Sequence, residues 1–136
     1  MTVLLLDAGV WVAAKDGADR YCEAARGLAV DSDQPVAALD LTLYEVANVI
    51  GARKGRTGEA TDMCRLISSR CVGRMVAIDA QLIRRTVEAA AEYDLTAYDA
   101  AYVAAARRHG WTLVSTDIAD LVSKGLAVAP DAADYP

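Results

Sequence analysis

Nitrogen and sulfur ligands are scarce in this chain. It has one histidine, His109, and three cysteines, Cys22, Cys64 and Cys71, none in a C-x-x-C pair. That leaves little with which to build a zinc site or a disulfide framework. Cys64 and Cys71 lie seven apart in a helical pattern, which predicts buried free thiols and suits a reducing cytoplasm. Linkers are missing too. No Pro/Gly-rich stretch, internal repeat or low-complexity tract interrupts the 136 residues, so 1–136 reads as one domain, with 130–136 a loosely held tail. No apolar run is long enough for a membrane span, and the N-terminus lacks the basic region of a signal peptide. Neither G-x-G-x-x-G nor a Walker A motif occurs, which argues against a nucleotide cofactor.

Positive charge is in short supply as well: 14 Lys and Arg face 19 Asp and Glu, for a net charge of −5 and a pI near 4.7. A simple nucleic-acid binder is usually basic. Four of the acids, however, belong to one constellation described below, and such a site approaches phosphate only after cations fill it. Arg53-Lys54-Gly55-Arg56 is the one dense basic cluster, either a solvated helix end or a contact to nucleic acid. What the chain has in excess is apolar residues, 54% of the total against a usual share of about 45–50%. Part of its surface is therefore expected to be covered by a partner, most simply in a homodimer.

The pattern along the chain alternates short apolar strands with amphipathic helices. Val3–Leu6, Val36–Leu39, Met75–Ile78 and Trp111–Ser115 read as buried strands, with Leu126–Ala129 a short fifth. Helices are expected from Gly9 to Ala14, Ala18 to Val30, about Asp40 to Ile50, Thr57 or Thr61 onward, Ala80 to Tyr93, and Ala97 to His109. Gly51 and Gly55 mark the fraying end of the third, and Gly110 stops the last. The implied fold is a three-layer α/β/α domain around a parallel sheet of four to five strands.

Four acids then fall on one edge. Asp7 ends the first strand. Glu45 is placed in the first turn of the helix after the second, Asp99 in the first turn of the helix opened by Thr96, and Asp117 just past the fourth strand. Strand C-termini and following helix N-termini share one edge of a parallel sheet, at whose crossover point ligands bind. Oxygen ligands alone select Mg²⁺ or Mn²⁺, and carboxylates so crowded are costly without such an ion. The chemistry expected is metal-assisted hydrolysis of a phosphodiester. Asp7, directly after a fully apolar strand, has few local donors, whereas the other three acids each have a plain structural role to offer. Thr42–Glu45 and Thr96–Asp99 match capping boxes, and Asp117 suits the cap of a short helix reaching Leu121. Asp79 reads as an N-cap, Asp94 and Asp120 as cap or surface acids with Asp120 in reach of the site's rim, and His109 as structural.

Leu4-Leu5-Leu6-Asp7, Leu41-Thr42-Leu43-Tyr44-Glu45, Leu95-Thr96-Ala97-Tyr98-Asp99-Ala100-Ala101-Tyr102 and Leu113-Val114-Ser115-Thr116-Asp117 resemble the four blocks of PIN-domain ribonucleases, above all the VapC toxins of bacterial VapBC toxin–antitoxin pairs. The resemblance implies a Mg²⁺- or Mn²⁺-dependent endoribonuclease acting on RNA, a homodimer, and a cognate VapB antitoxin that wraps the toxin. It implies Asp7 and Asp99 as principal metal ligands, Glu45 and Asp117 as ligands directly or through water, and Ser115 as the hydroxyl beside Asp117. The chain departs from the pattern at Gly9, where many relatives carry a hydroxyl residue. Two other readings stay open on sequence alone: a PIN-like module that binds RNA or protein without turnover, and a phosphoacceptor signalling domain. The second has an Asp after strand three (Asp79) but lacks an acidic pair after strand one.

Overall fold

A computed structural model describes residues 2–133. Four parallel strands make its sheet, in the order β3-β2-β1-β4: β1 (Leu4–Leu6), β2 (Val36–Leu39), β3 (Met75–Val76) and β4 (Thr112–Val114). Leu4 stands opposite both Val36 and Thr112, and Ala38 opposite Met75. Every residue of β1 and β2 is fully buried because successive side chains enter opposite cores. Leu4, Leu6, Val36 and Ala38 pack on one face; Leu5, Ala37 and Leu39 pack on the other.

Helices α1 (Ala8–Ala13), α2 (Cys22–Ala29), α3 (Asp40–Val46) and α4 (Thr57–Arg70) cover the first face, and α5 (Ala80–Tyr93) and α6 (Ala97–His109) the second. This is the α/β/α architecture expected. In α6 the run Ala100–Ala106 is buried throughout, since the helix lies between the sheet and α5; a helix apolar on all sides is a buried one.

The sharpest agreements come where capping chemistry is explicit. Asp79 accepts the Leu82 N–H at the start of α5, Thr96 accepts the Asp99 N–H at the start of α6, and Gly110 ends α6 at φ 69°. Elsewhere the boundaries move. Helix α2 starts at Cys22, not Ala18, because the Asp16 and Asp19 side chains hydrogen-bond the N–H groups of Ala18 and Tyr21 and hold tight turns there. Helix α3 does not fray at Gly51 but runs on as π-type turns over Ala47–Arg53. A Cβ at Gly51 would lie 3.3 Å from the Ala60 Cβ of α4, so the missing side chain lets the two segments close up. The fifth strand reduces to one bridge, Val114 to Val128. Pro130–Ala132 forms a 3₁₀ turn with Pro130 buried. The remainder of the expected tail, 134–136, lies outside the described residues. His109 stacks on Trp111 at 4.3 Å, a structural role as expected. Of the thiols, Cys71 is buried and Cys22 and Cys64 are half-buried, all free.

The strand order fixes where a ligand belongs. From β1 the chain moves outward to β2 and β3, then returns to β4 on the other side of β1. The crevice at the C-terminal ends of β1 and β4 is thus the switch point of the sheet.

Candidate active site at the switch point of the sheet

Asp7 leaves β1 and enters α1 as its N-cap. Its Oδ1 accepts the Val10 N–H at 3.1 Å, and its Oδ2 accepts a hydrogen bond from the Ser115 hydroxyl. The sequence suggested few local donors here, but the tight strand-to-helix turn brings one N–H and the end of β4 brings the hydroxyl. Ser115, fully buried, also accepts the Asp117 N–H at 2.9 Å, so one side chain ties the two loops at the switch point together. Asp117 caps the short turn Ile118–Val122, accepting the Asp120 N–H.

Glu45 sits deeper in its helix than expected. Helix α3 begins at Asp40, which puts Glu45 in the second turn and makes Thr42 the residue that accepts the Leu39 N–H. The Thr42–Glu45 capping box is therefore absent. What replaces it is a chain of hydrogen bonds. Leu39 N–H donates to Thr42 Oγ1, the Thr42 hydroxyl donates to Tyr102 Oη over 2.8 Å, and Tyr102 donates to Glu45 Oε1 over 2.7 Å. Donor order follows from the ends: a carboxylate only accepts and an amide N–H only donates. Buried chains of this kind strengthen each link. Tyr102, nearly fully buried, joins this cluster, although in the sequence it stands only as the last residue of its block. Its signal was its spacing of three from Asp99, which puts both on one face of α6.

Carboxylate oxygens of Asp99, Asp117 and Asp120 lie within 4.8 Å of one another. Asp120 thus joins the cluster, where the sequence put it only near the rim. Its spacing of three from Asp117 across one helical turn was the available clue. Asp7 and Glu45 are outside that trio but within its field. Burial, followed by the charges of Glu45 and Asp99, pushes the Asp7 carboxyl up to about 7, against the opposing pull of its bonds from Ser115 and Val10. Asp99 is likewise raised, first by burial and then by Asp117, Asp120 and Glu45. Burial also raises Glu45, with the Tyr102 hydroxyl opposing. Arg53, Lys54 and Arg56 are all exposed at the end of the π-type turns, Arg56 in an ion pair with Glu59 at 3.6 Å. Lys54 and Arg56 border a hollow shared with Lys15.

A three-layer parallel domain with its acids gathered at the switch point defines a class of small α/β proteins whose chemistry sits at a sheet edge. This chain belongs to the PIN-domain family, whose model matches residues 4–120. It is 34% identical over 118 residues to Ribonuclease VapC3 of Pyrobaculum aerophilum, covering 84% of this chain and 88% of that protein. Among solved structures, it superposes on Mycobacterium tuberculosis VapC20, a sarcin-ricin loop cleaving toxin, with a TM-score of 0.73 at 18% identity, over 90% of this chain and 95% of the other. A toxin–antitoxin complex from Klebsiella pneumoniae gives a TM-score of 0.71 at 19% identity, over 93% and 97%. At those identities the two structures speak for the fold.

Proposed function

We propose that this chain is the ribonuclease toxin of a VapBC-type toxin–antitoxin pair, hydrolysing RNA phosphodiester bonds with Mg²⁺ or Mn²⁺ held by its acidic edge. The observation that carries the reading is the gathering of Asp99, Asp117 and Asp120 within 4.8 Å beside a buried Asp7 that responds to Asp99 and Glu45. Kinship with a ribonuclease of the family over most of the chain supports it.

The residues present fit a hard divalent cation. Every candidate ligand is a carboxylate oxygen, the donor type that Mg²⁺ and Mn²⁺ take. The cluster is also one in which uncompensated charge is expensive, as the raised carboxyls of Asp7, Glu45 and Asp99 record. Asp7 and Asp99 are the principal holders, with Glu45 and Asp117 completing the set directly or through water, and Asp120 close enough to join. When bound, the ion supplies positive charge against the scissile phosphate and acidifies water.

The chain's own groups do the rest. Ser115 and Val10 fix both oxygens of Asp7, and Tyr102 aims one oxygen of Glu45. Thr96 fixes the first turn of α6 and with it Asp99. These supports set the carboxylates in place before substrate arrives, which removes reorganisation from the reaction itself. Arg53, Lys54 and Arg56 supply the cationic surface for the RNA backbone, whose phosphates reward such contacts.

An antitoxin partner is in keeping with the complex from Klebsiella pneumoniae. A homodimer is in keeping with Ile83 and Val87, exposed one turn apart on α5. Free cysteines and the absence, among the described residues, of a helix long and apolar enough to cross a membrane agree with a cytoplasmic site of action. The test is RNA cleavage by the purified chain with Mn²⁺ or Mg²⁺. Cleavage stops with EDTA and falls roughly a hundredfold or more in Asp99→Asn, the scale on which losing one charge-stabilising group acts. Equal cutting by wild type and Asp99→Asn would refute the reading.

A further inference from the structure

The glycine two residues after Asp7 has a neighbour that explains it. A Cβ built on Gly9 would stand 2.3 Å from Thr116 Oγ1 and 3.3 Å from Asp7 Oδ1. The Thr116 hydroxyl thus occupies the space that a side chain at position 9 would need, at the flank of the Asp7 carboxylate. Thr116 lies between Ser115, which holds Asp7 Oδ2, and Asp117, which belongs to the acidic trio. Its own side chain is half-buried. The loop after β4 thereby brings two hydroxyls to this end of the sheet, Ser115 on Asp7 Oδ2 and Thr116 beside Gly9.

We propose that Gly9 and Thr116 are a matched pair: Gly9 clears the space, and Thr116 Oγ1 fills it as a positioning hydroxyl of the cation site. A hydroxyl is the group to expect there. Mg²⁺ and Mn²⁺ keep part of their hydration shell, whose waters need hydrogen-bond partners. A sixth acid at this point would add like charge to the five acids already gathered at this edge, whereas a hydroxyl donates and accepts without charge. A residue at position 9 can carry that hydroxyl only if Thr116 gives up the space.

The inference rests on the cation site proposed above, and its test separates the two. Mn²⁺ affinity is measured by calorimetry on the full chain, with thermal unfolding in EDTA as the control for folding. Thr116→Ser keeps wild-type affinity to within about threefold, while Thr116→Val, of the same shape, loses roughly tenfold at unchanged unfolding temperature, the scale of one hydrogen bond to a charged group. Gly9→Ser alone also weakens binding, because two side chains then compete for one space. Gly9→Ser with Thr116→Ala returns to within about threefold of wild type, while Gly9→Ala with Thr116→Ala, which has the room but no hydroxyl, stays weak. The pairing is overturned if Thr116→Val binds Mn²⁺ like wild type, or if the alanine pair recovers as fully as the serine pair. A wild-type chain that binds no Mn²⁺ would overturn the cation site itself, and this inference with it.

Discussion

Asp7 makes the metal-free protein lose stability as pH rises from about 4 to about 7, by an amount that follows from its burial. The carboxyl moves from its ordinary 3.8 up to about 7, so between those values the folded chain holds a proton that the unfolded chain has released. Below about pH 4 both states are protonated and Asp7 adds no pH dependence. As pH rises from there, folding becomes progressively less favourable, and the loss levels off above about pH 7. At about 1.36 kcal/mol per unit the full effect is about 4 kcal/mol, a large part of the roughly 5–15 kcal/mol that holds a typical domain folded. Urea unfolding in EDTA at pH 5 and pH 8 reads the part of it that falls between those values, about 3 kcal/mol. Wild type is the less stable at pH 8, and Asp7→Asn, which keeps an oxygen for the Val10 N–H, loses most of the difference. The raised carboxyls of Glu45 and Asp99 act in the same direction and leave Asp7→Asn a residual slope. Saturating Mn²⁺ at pH 8 restores wild-type stability, since an ion that binds the ionised carboxylates of the folded chain and not the unfolded chain stabilises it by mass action. Identical pH dependence in wild type and Asp7→Asn would refute the reasoning.

Three further outcomes are expected. Tyr102→Phe removes the donor to Glu45 and leaves the Thr42 hydroxyl without its acceptor, at about 1–3 kcal/mol of stability; chemical denaturation measures it, and cleavage falls with KM for RNA unchanged. Replacing Arg53, Lys54 and Arg56 together by Gln raises KM for RNA and flattens its salt dependence while leaving kcat in place, because contacts to phosphate act through released counterions. Leu5→Ala in the core against α6 costs about 2–5 kcal/mol in urea unfolding, and an effect under about 1 kcal/mol would contradict its full burial.

The parts of the fold that were legible from sequence are those written in local chemistry. Asp79, Thr96 and Gly110 carry the caps of α5 and α6 in their own side chains or lack of one, and both helices span the expected residues. The apolar runs of β1 and β2 locate the sheet centre because burial on both faces leaves no polar position. What was illegible depended on distant partners or on competition between equal local options. Asp16 and Asp19 offered either helix or turn, and turn won. Glu45 lies a turn deeper than a Thr42 N-cap would put it, because α3 is already helical at Asp40 and the Thr42 hydroxyl turns back to the Leu39 N–H. At the site, the acids at strand ends were visible because strand, turn and helix place them. Tyr102 needed the contact from α6 to α3, and Thr116 the approach of the β4 loop to Gly9, neither of which a single sequence displays. Asp120 falls between these cases, its spacing readable but its orientation not.

Whether carboxylates from separate elements share a divalent ion is tested most directly by anomalous diffraction from crystals soaked in Mn²⁺. The predicted result is a single strong peak in the crevice between β1 and β4, bounded by Asp7 and Asp99 with Asp117 at its edge. No peak there at saturating Mn²⁺, or one confined to the surface beside Asp120 and out of reach of Asp7, would contradict it.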